Sequence, residues 1–264
     1  MPFPFTFLSR YAILPSKGDE AVELTFINIS LLILIGFGAA FVQRVSGFGL
    51  GIFAMLFLPY LLGDTIAAAA VSCLWSCVTS VYNAVKYRKN VDFKLLMPLI
   101  CAAAVTIPVA VAFSKFVPGG IMTMLLGIVL VLLSLYFLLF SEKIHIRPST
   151  PGGILAGGLG GTLNGLFSTG GPPVVLYLAG ATTDKMVYFA SIQCYFALTN
   201  LYSTGMRAVS GILSWHILLL AAIGVLGSLL GDAVGKRIFN RLNAKRVKQV
   251  IYVGMIMSGL LMIF

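Results

Sequence analysis

The sequence predicts an all-α polytopic membrane protein with two inverted-topology repeats, each a broken or re-entrant glycine-rich helix pair followed by three transmembrane helices. Three observations indicate this fold class. Of the 264 residues, 59% are hydrophobic and only 10% are charged, whereas soluble chains carry roughly 25% charged residues. The apolar segments form two sets of five. The basic residues are concentrated in a few of the connectors between these segments.

The first repeat is predicted to cover residues 25–140, after an N-terminal tail of residues 1–24. The tail mixes prolines with charges of both signs, and it lacks the basic-then-apolar order of a cleaved signal peptide. A membrane-spanning helix needs roughly 20 apolar residues. The apolar segments of this repeat are residues 25–43, 48–62, 65–85, 94–115 and 120–140.

The polar stretch 141–150 is the predicted cytoplasmic connector, and the second repeat covers residues 151–264. Both repeats open with a glycine-rich segment. In both, an aspartate (Asp64 or Asp184) precedes the third segment, where a carboxylate opposes the positive end of the helix dipole. The apolar segments of the second repeat are residues 152–168, 172–181, 186–206, 213–235 and 247–264.

Charge predicts how the two repeats are oriented. The loops at residues 86–94, 143–147 and 236–248 hold most of the basic residues, so the positive-inside rule places them in the cytoplasm. The loop between the third and fourth segments then lies inside in the first repeat but outside, at residues 209–214, in the second. Inverted repeats recur in transporters, whose substrate sites lie near the bilayer midplane. These loops also account for the net charge of +10, so we expect no nucleic-acid partner.

The second glycine-rich turn is a candidate anion site. Residues 172–181 would form a helix only about 15 Å long, which is half of the hydrocarbon core. Its N-terminus at membrane depth would present unpaired N–H groups and a partial positive charge to an anion. The alternative is a tight turn between packed helices. The candidate substrate-binding residues here are Asn164, Ser168, Thr169, Gly170, Gly171 and Pro172.

The first glycine-rich turn supplies the counterpart. Arg44 lies between two apolar segments, and an arginine at membrane depth is costly unless it reaches water or a partner. We therefore predict that Arg44 is an anion ligand, bidentate to an oxyanion. The alternative is an ordinary interfacial arginine. The candidate residues of this turn are Gln43, Arg44, Ser46, Gly47 and Gly49.

The third helix of the second repeat carries further polar residues. Gln193 and Asn200 are seven residues apart and share a helix face, so they line a pathway or hydrogen-bond between helices. Arg207, at the end of this helix, is expected to snorkel to the outer surface. Asp232 is expected to pair with Lys236 one turn later.

Glycine stripes at spacing four, Gly157/Gly161/Gly165 and Gly227/Gly231/Gly235, predict close helix contacts and would permit a homodimer. Cys73 and Cys77 are one helical turn apart, but no histidine or third thiol accompanies them, so packing is favoured over a metal site. The two histidines, His145 and His216, are far apart in sequence and form no metal-ligand pattern. There is no P-loop and no paired nucleophile and base. We therefore expect no cofactor and no enzymatic activity.

The two glycine-rich turns resemble those of the sulfite exporter TauE/SafE family. The matching residues are Ser46-Gly47-Phe48-Gly49 with Pro59 downstream, and Gly170-Gly171-Pro172-Pro173 followed by Val174-Val175-Leu176-Tyr177. The resemblance covers roughly residues 25–264. It implies a substrate such as sulfite or an organosulfonate, which neither composition nor spacing indicates.

Together with this resemblance, the sequence predicts a secondary transporter that exports a small anion by alternating access. We expect it in the bacterial cytoplasmic (inner) membrane, embedded in the lipid bilayer and driven by a coupling proton or sodium ion. Two alternatives remain. One is a membrane scaffold or sensor without transport, and the other is a membrane-embedded redox protein or enzyme that uses Cys73 and Cys77.

Overall fold

The computed structural model describes residues 25–140, 149–238 and 244–264, and these parts of the chain are helical, with no strand. The predicted tail 1–24, most of the connector with Lys143, His145 and Arg147, and Arg241 lie outside the described residues. The helices are α1 (Phe26–Ser46), α2 (Leu50–Leu62), α3 (Thr65–Tyr87), α4 (Phe93–Phe116), α5 (Gly119–Phe140), α6 (Thr150–Phe167), α7 (Gly171–Ala181), α8 (Lys185–Val209), α9 (Trp215–Ile238) and α10 (Ala244–Ile263).

Helix length and composition identify an integral multi-pass membrane protein. In the described ranges, five helices are long and apolar enough to cross a membrane, namely α1, α3, α4, α5 and α9. Large apolar side chains on outward faces are exposed, as expected beside lipid: Leu34 is 64% exposed and Leu155 is 68% exposed. Helix α8 is 25 residues long and more polar than these five helices. Most of its polar side chains are turned inward and buried.

The helix starts follow the predicted capping chemistry. The Asp64 carboxylate accepts a hydrogen bond from the backbone N–H of Ile66 at the start of α3 (2.8 Å). The Asp184 carboxylate does the same for Met186 at the start of α8 (2.7 Å). Each carboxylate satisfies an N–H group that has no partner within its helix and opposes the positive end of the helix dipole.

The first half of the chain (α1–α5) and the second half (α6–α10) form equivalent helix pairs with each other. Helix α1 packs along α9, and its counterpart α6 packs along α4. The third helices of the halves, α3 and α8, cross each other, as do the last helices, α5 and α10. Each half therefore completes its core against the other half.

The helices of the α3–α8 pair run antiparallel, as do those of the α5–α10 pair. Near the middle of α3, Cys73 contacts Thr204 of α8, whereas at the end of α3 the ring of Tyr87 packs on Phe189 near the start of α8, with 5.4 Å between ring centroids. In the other pair, the Ser134 hydroxyl of α5 donates a hydrogen bond to the Tyr252 carbonyl of α10 (2.6 Å), whereas Gly127, earlier on α5, packs on Gly259, later on α10.

The glycine stripes bring helices into backbone contact, as the sequence predicts. A Cβ at Gly227 of α9 would overlap the Ile33 carbonyl oxygen of α1, and a Cβ at Gly157 of α6 would overlap Leu99 of α4. Small residues allow such an approach between membrane helices. Because both stripes are occupied within the chain, a homodimer cannot use them, and that basis for expecting a dimer was wrong.

Candidate functional site

Two short helices begin deep inside the bundle, one from each half. Helix α1 ends at Ser46, and the chain reverses through Gly47 (φ +84°) and Gly49 (φ +104°) before α2 begins. Helix α6 ends at Phe167, and Ser168 turns the chain with φ +58° before α7 begins at Gly171. Among the described residues, Ser168 is the one non-glycine residue with a left-handed backbone. Such a conformation costs on the order of 1–2 kcal/mol, and strain of this kind is concentrated at functional sites.

The two glycine-rich turns touch each other. A Cβ at Gly51 would overlap the Ser168 carbonyl oxygen, so the first turn of α2 packs directly on the backbone of the second glycine-rich turn. A Cβ at Gly171 would lie 3.4 Å from Cβ of Phe48 and 3.3 Å from Cζ of Phe196. The beginnings of α2 and α7 therefore face a common interior space.

This space is a small cavity between the two halves, with a volume of about 20 Å³. That volume suits roughly one water molecule, so a larger solute requires the walls to move apart. Among the described residues, no charged side chain lines the cavity. The lining residues are Gln43, Gly49, Leu50, Gly51, Ile52, Ser76, Asn164, Ser168, Thr169, Gly170, Gly171, Phe196 and Asn200.

Three polar atoms of the cavity wall have no hydrogen-bond partner in the part of the chain that the structure describes. They are Oδ1 of Asn164, Oγ of Ser168 and Oγ1 of Thr169, and these residues are 3%, 7% and 2% exposed. Buried polar groups are nearly always hydrogen-bonded, so unpaired ones require an explanation. Two hydroxyl donors and two helix N-termini at one cavity form a suitable environment for an oxyanion.

An amide network holds one wall of the cavity in place. The Asn164 amide group donates to Oδ1 of Asn200 (3.1 Å), and the Asn200 amide group donates to the Ser76 hydroxyl (2.8 Å). Three helices, α3, α6 and α8, are joined in this way. The network ties the glycine-rich turn of the second half to the first half.

The candidate residues divide into two groups. Eight of them line the cavity: Gln43, Gly49, Asn164, Ser168, Thr169, Gly170, Gly171 and Asn200. Five do not: Arg44, Ser46, Gly47, Pro172 and Gln193. The Ser46 hydroxyl donates to the Val42 carbonyl of its own helix (2.8 Å), and Gln193 is buried with an unpaired side-chain oxygen away from the cavity.

Arg44 forms an ion pair instead of facing the cavity. Its Nε lies 2.8 Å and its Nη2 lies 2.5 Å from the two carboxylate oxygens of Asp232 on α9, and Nη2 also donates to Oδ1 of Asn83 (2.9 Å). The expected ion pair between Asp232 and Lys236 was wrong, because Arg44 occupies the carboxylate. Lys236 lies near Lys86, at the predicted cytoplasmic end.

Arg207 is the functional candidate that sequence reasoning missed. The expected snorkelling was wrong: Arg207 is 1% exposed. Its guanidinium donates to the Ser203 hydroxyl and, at 3.0 Å each, to the backbone carbonyls of Asn164 and Gly165 at the end of α6. The four-residue spacing of Ser203 and Arg207 was the available signal, since it places both on the inward face of α8.

Comparison with known proteins identifies the family. The profile of the family Sulfite exporter TauE/SafE matches residues 32–262. The chain belongs to the sulfite exporter TauE/SafE family. A relative in this family, "Probable sulfite/organosulfonate exporter TauE" from Cupriavidus necator (strain H16), is 24% identical over 239 residues, covering 88% of this chain and 93% of the relative. No solved structure matches the chain.

Membership of the TauE/SafE family assigns the chain to a class of membrane transporters. The match extends across both halves of the chain and includes both glycine-rich turns. The cavity therefore lies inside the region that the family shares.

Proposed function

We propose that this protein is a secondary transporter that exports sulfite or a short organosulfonate across the bacterial inner membrane. The observation that carries the proposal is the small cavity between the two glycine-rich turns, where unpaired Ser168 and Thr169 hydroxyls meet the N-termini of α2 and α7. Family membership supports transport, and the name of the relative supports the sulfur oxyanion.

The proposed mechanism is alternating access between inverted repeats. The antiparallel packing of α3 on α8 and of α5 on α10 supports the inverted arrangement, because parallel repeats would place equivalent helices parallel to each other. The Arg44–Asp232 pair is the proposed closure on the predicted cytoplasmic side. The contact of Arg207 with the end of α6 is the proposed closure on the opposite side. Opening one closure at a time would expose the cavity to one side of the membrane, driven by a proton or sodium gradient.

Transport into proteoliposomes tests the proposal. Labelled sulfite and a two-carbon sulfonate are offered under an imposed proton or sodium gradient, and the wild type should show saturable flux. Gly171→Leu should abolish this flux, because the added side chain must enter the space between Phe48 and Phe196. Gly205→Leu is the matched control, since Gly205 of α8 faces open space.

A second variant tests the hydroxyl donors. Ser168→Ala combined with Thr169→Ala removes two hydrogen-bond donors to a charged ligand, each worth about 1.5–3 kcal/mol, so the apparent KM should rise by about 100-fold or more. Flux that survives both this change and Gly171→Leu would place the substrate elsewhere. A wild type without flux for either anion would favour a scaffold or sensor.

A further inference from the structure

Arg207 carries a positive charge that no carboxylate in the described ranges neutralises. It is 1% exposed, and its hydrogen-bond acceptors are one hydroxyl and two backbone carbonyls. The ion pair between described residues is that of Arg44 with Asp232. Buried cations in membrane proteins are expensive, and they are retained mainly where they have a partner or serve a substrate pathway.

The end of α6 compensates part of this charge. A helix C-terminus carries roughly −0.5 elementary charge, and the Arg207 guanidinium contacts the carbonyls of Asn164 and Gly165 in the last turn of α6. The remaining positive charge has no neighbour of opposite sign among these contacts. The Arg207 region is therefore left with a net positive potential.

Arg207 contacts a residue of the cavity wall. Nη2 of Arg207 lies 3.0 Å from the backbone oxygen of Asn164, and the side chain of the same Asn164 lines the cavity with an unpaired oxygen. The guanidinium therefore contacts a residue that lines the cavity, but does not line the cavity itself. Arg207 and Asn164 are both buried, and electrostatic interactions between buried groups are screened less than those at an exposed surface.

We propose that the transported anion supplies the missing countercharge of Arg207, so that Arg207 rather than Arg44 is the residue that makes the cavity selective for anions. The inference rests on the proposed function. The carboxylate of Asp232 already neutralises Arg44. Arg207 attracts the anion in the cavity through its charge, without touching it. Its hydrogen bonds also position the second glycine-rich turn.

The test separates charge from positioning. Purified protein in nanodiscs is titrated with sulfite and with a neutral two-carbon sulfone, and the thermal midpoint is followed. The wild type should be stabilised by sulfite but not by the neutral sulfone. Arg207→Gln should weaken the apparent sulfite affinity by about tenfold or more, whereas Arg207→Lys should keep most of it, because the charge remains while the forked contact with the carbonyls is lost. Lys115→Gln is the charge-matched control, since Lys115 is exposed and donates to the Ser210 carbonyl near the end of α8.

Equal losses in Arg207→Lys and Arg207→Gln would overturn the inference and leave Arg207 with a purely structural role. Unchanged sulfite affinity in Arg207→Gln would overturn it too, while the proposed function stands. A wild type that does not respond to sulfite would overturn both.

A further test keeps Arg207 and introduces a negatively charged side chain next to it. Cys73 of α3 is fully buried and lies within electrostatic range of Arg207. An aspartate there would ionise beside the guanidinium and take the place of the anion. Cys73→Asp should lose the sulfite response, and the uncharged Cys73→Asn should keep it. A wild-type response in Cys73→Asp would refute the inference even if Arg207→Gln fails to fold.

Discussion

Replacing Asp232 by asparagine should destabilise the protein more than replacing its partner Arg44 by glutamine. The two residues lie 188 positions apart in sequence and join α1 to α9 through two charge-assisted hydrogen bonds. Asp232→Asn leaves the Arg44 guanidinium without a countercharge, beside the lysines Lys86 and Lys236. Arg44→Gln leaves the Asp232 carboxylate one helical turn from Lys236, which can then pair with it.

The magnitudes follow from burial. Removing one partner of a buried ion pair costs about 3–5 kcal/mol. The side chains of Arg44 and Asp232 are 8% and 17% exposed, which places Asp232→Asn near the lower end of that range, at about 3 kcal/mol. Arg44→Gln should cost about 2 kcal/mol because Lys236 compensates. The double variant, with two neutral amides that can hydrogen-bond, should cost about 2 kcal/mol, which gives a coupling free energy of about 3 kcal/mol.

Thermal unfolding in detergent micelles measures these differences. The loss of monodisperse protein is recorded as the temperature rises. At about 2–4 °C per kcal/mol for a chain near this size, Asp232→Asn should lower Tm by about 6–12 °C. The double variant should recover part of that loss. If the effects of the single changes add in the double variant, the ion pair does not stabilise the protein, and its assignment as the cytoplasmic closure would be refuted.

Three further predictions address packing, the polar network and topology. Gly227→Ala should cost at least about 1 kcal/mol because its Cβ meets the Ile33 carbonyl, whereas Gly205→Ala, in open space, should stabilise by about 0.5–1 kcal/mol; equal midpoints would argue against the close α1–α9 contact. Asn200→Ala should cost about 1–3 kcal/mol because Asn164 and Ser76 lose a buried partner, whereas Ser30→Ala, an exposed hydroxyl bonded to its own helix, should have little effect on the midpoint. In a background without native cysteines, Lys89→Cys and Val209→Cys should be labelled by an impermeant thiol reagent from opposite sides of the membrane; labelling from the same side would contradict the inverted repeats.

Much of the fold could be predicted from local patterns. The helices of the first half lie within a few residues of their predicted apolar segments, because hydrophobicity along 20 residues reports directly on a membrane environment. The Asp64 and Asp184 caps were predictable because each acts on the N–H groups two or three residues later. The glycine stripes were predictable because a repeat of four residues lies on one helix face.

The candidate site could be predicted in part. The turn residues Ser168, Thr169 and Gly171 line the cavity, and their composition alone indicates a reversal of the chain at membrane depth. That the turn of the first half packs against them was not readable, since Gly51 and Ser168 come together only when the two halves associate.

The sequence by itself determined that this chain is helical, spans a membrane and reverses direction at two glycine-rich turns. These properties depend on composition and on spacings of a few residues, which act before any distant contact forms. Only the tertiary structure decided the partners of the charged side chains. Arg44 meets Asp232 on a helix of the other half, and Arg207 turns inward to the end of α6. A long side chain on a membrane helix can reach water, lipid headgroups or a neighbouring helix, and the packing of the helices determines which of these lies within its reach.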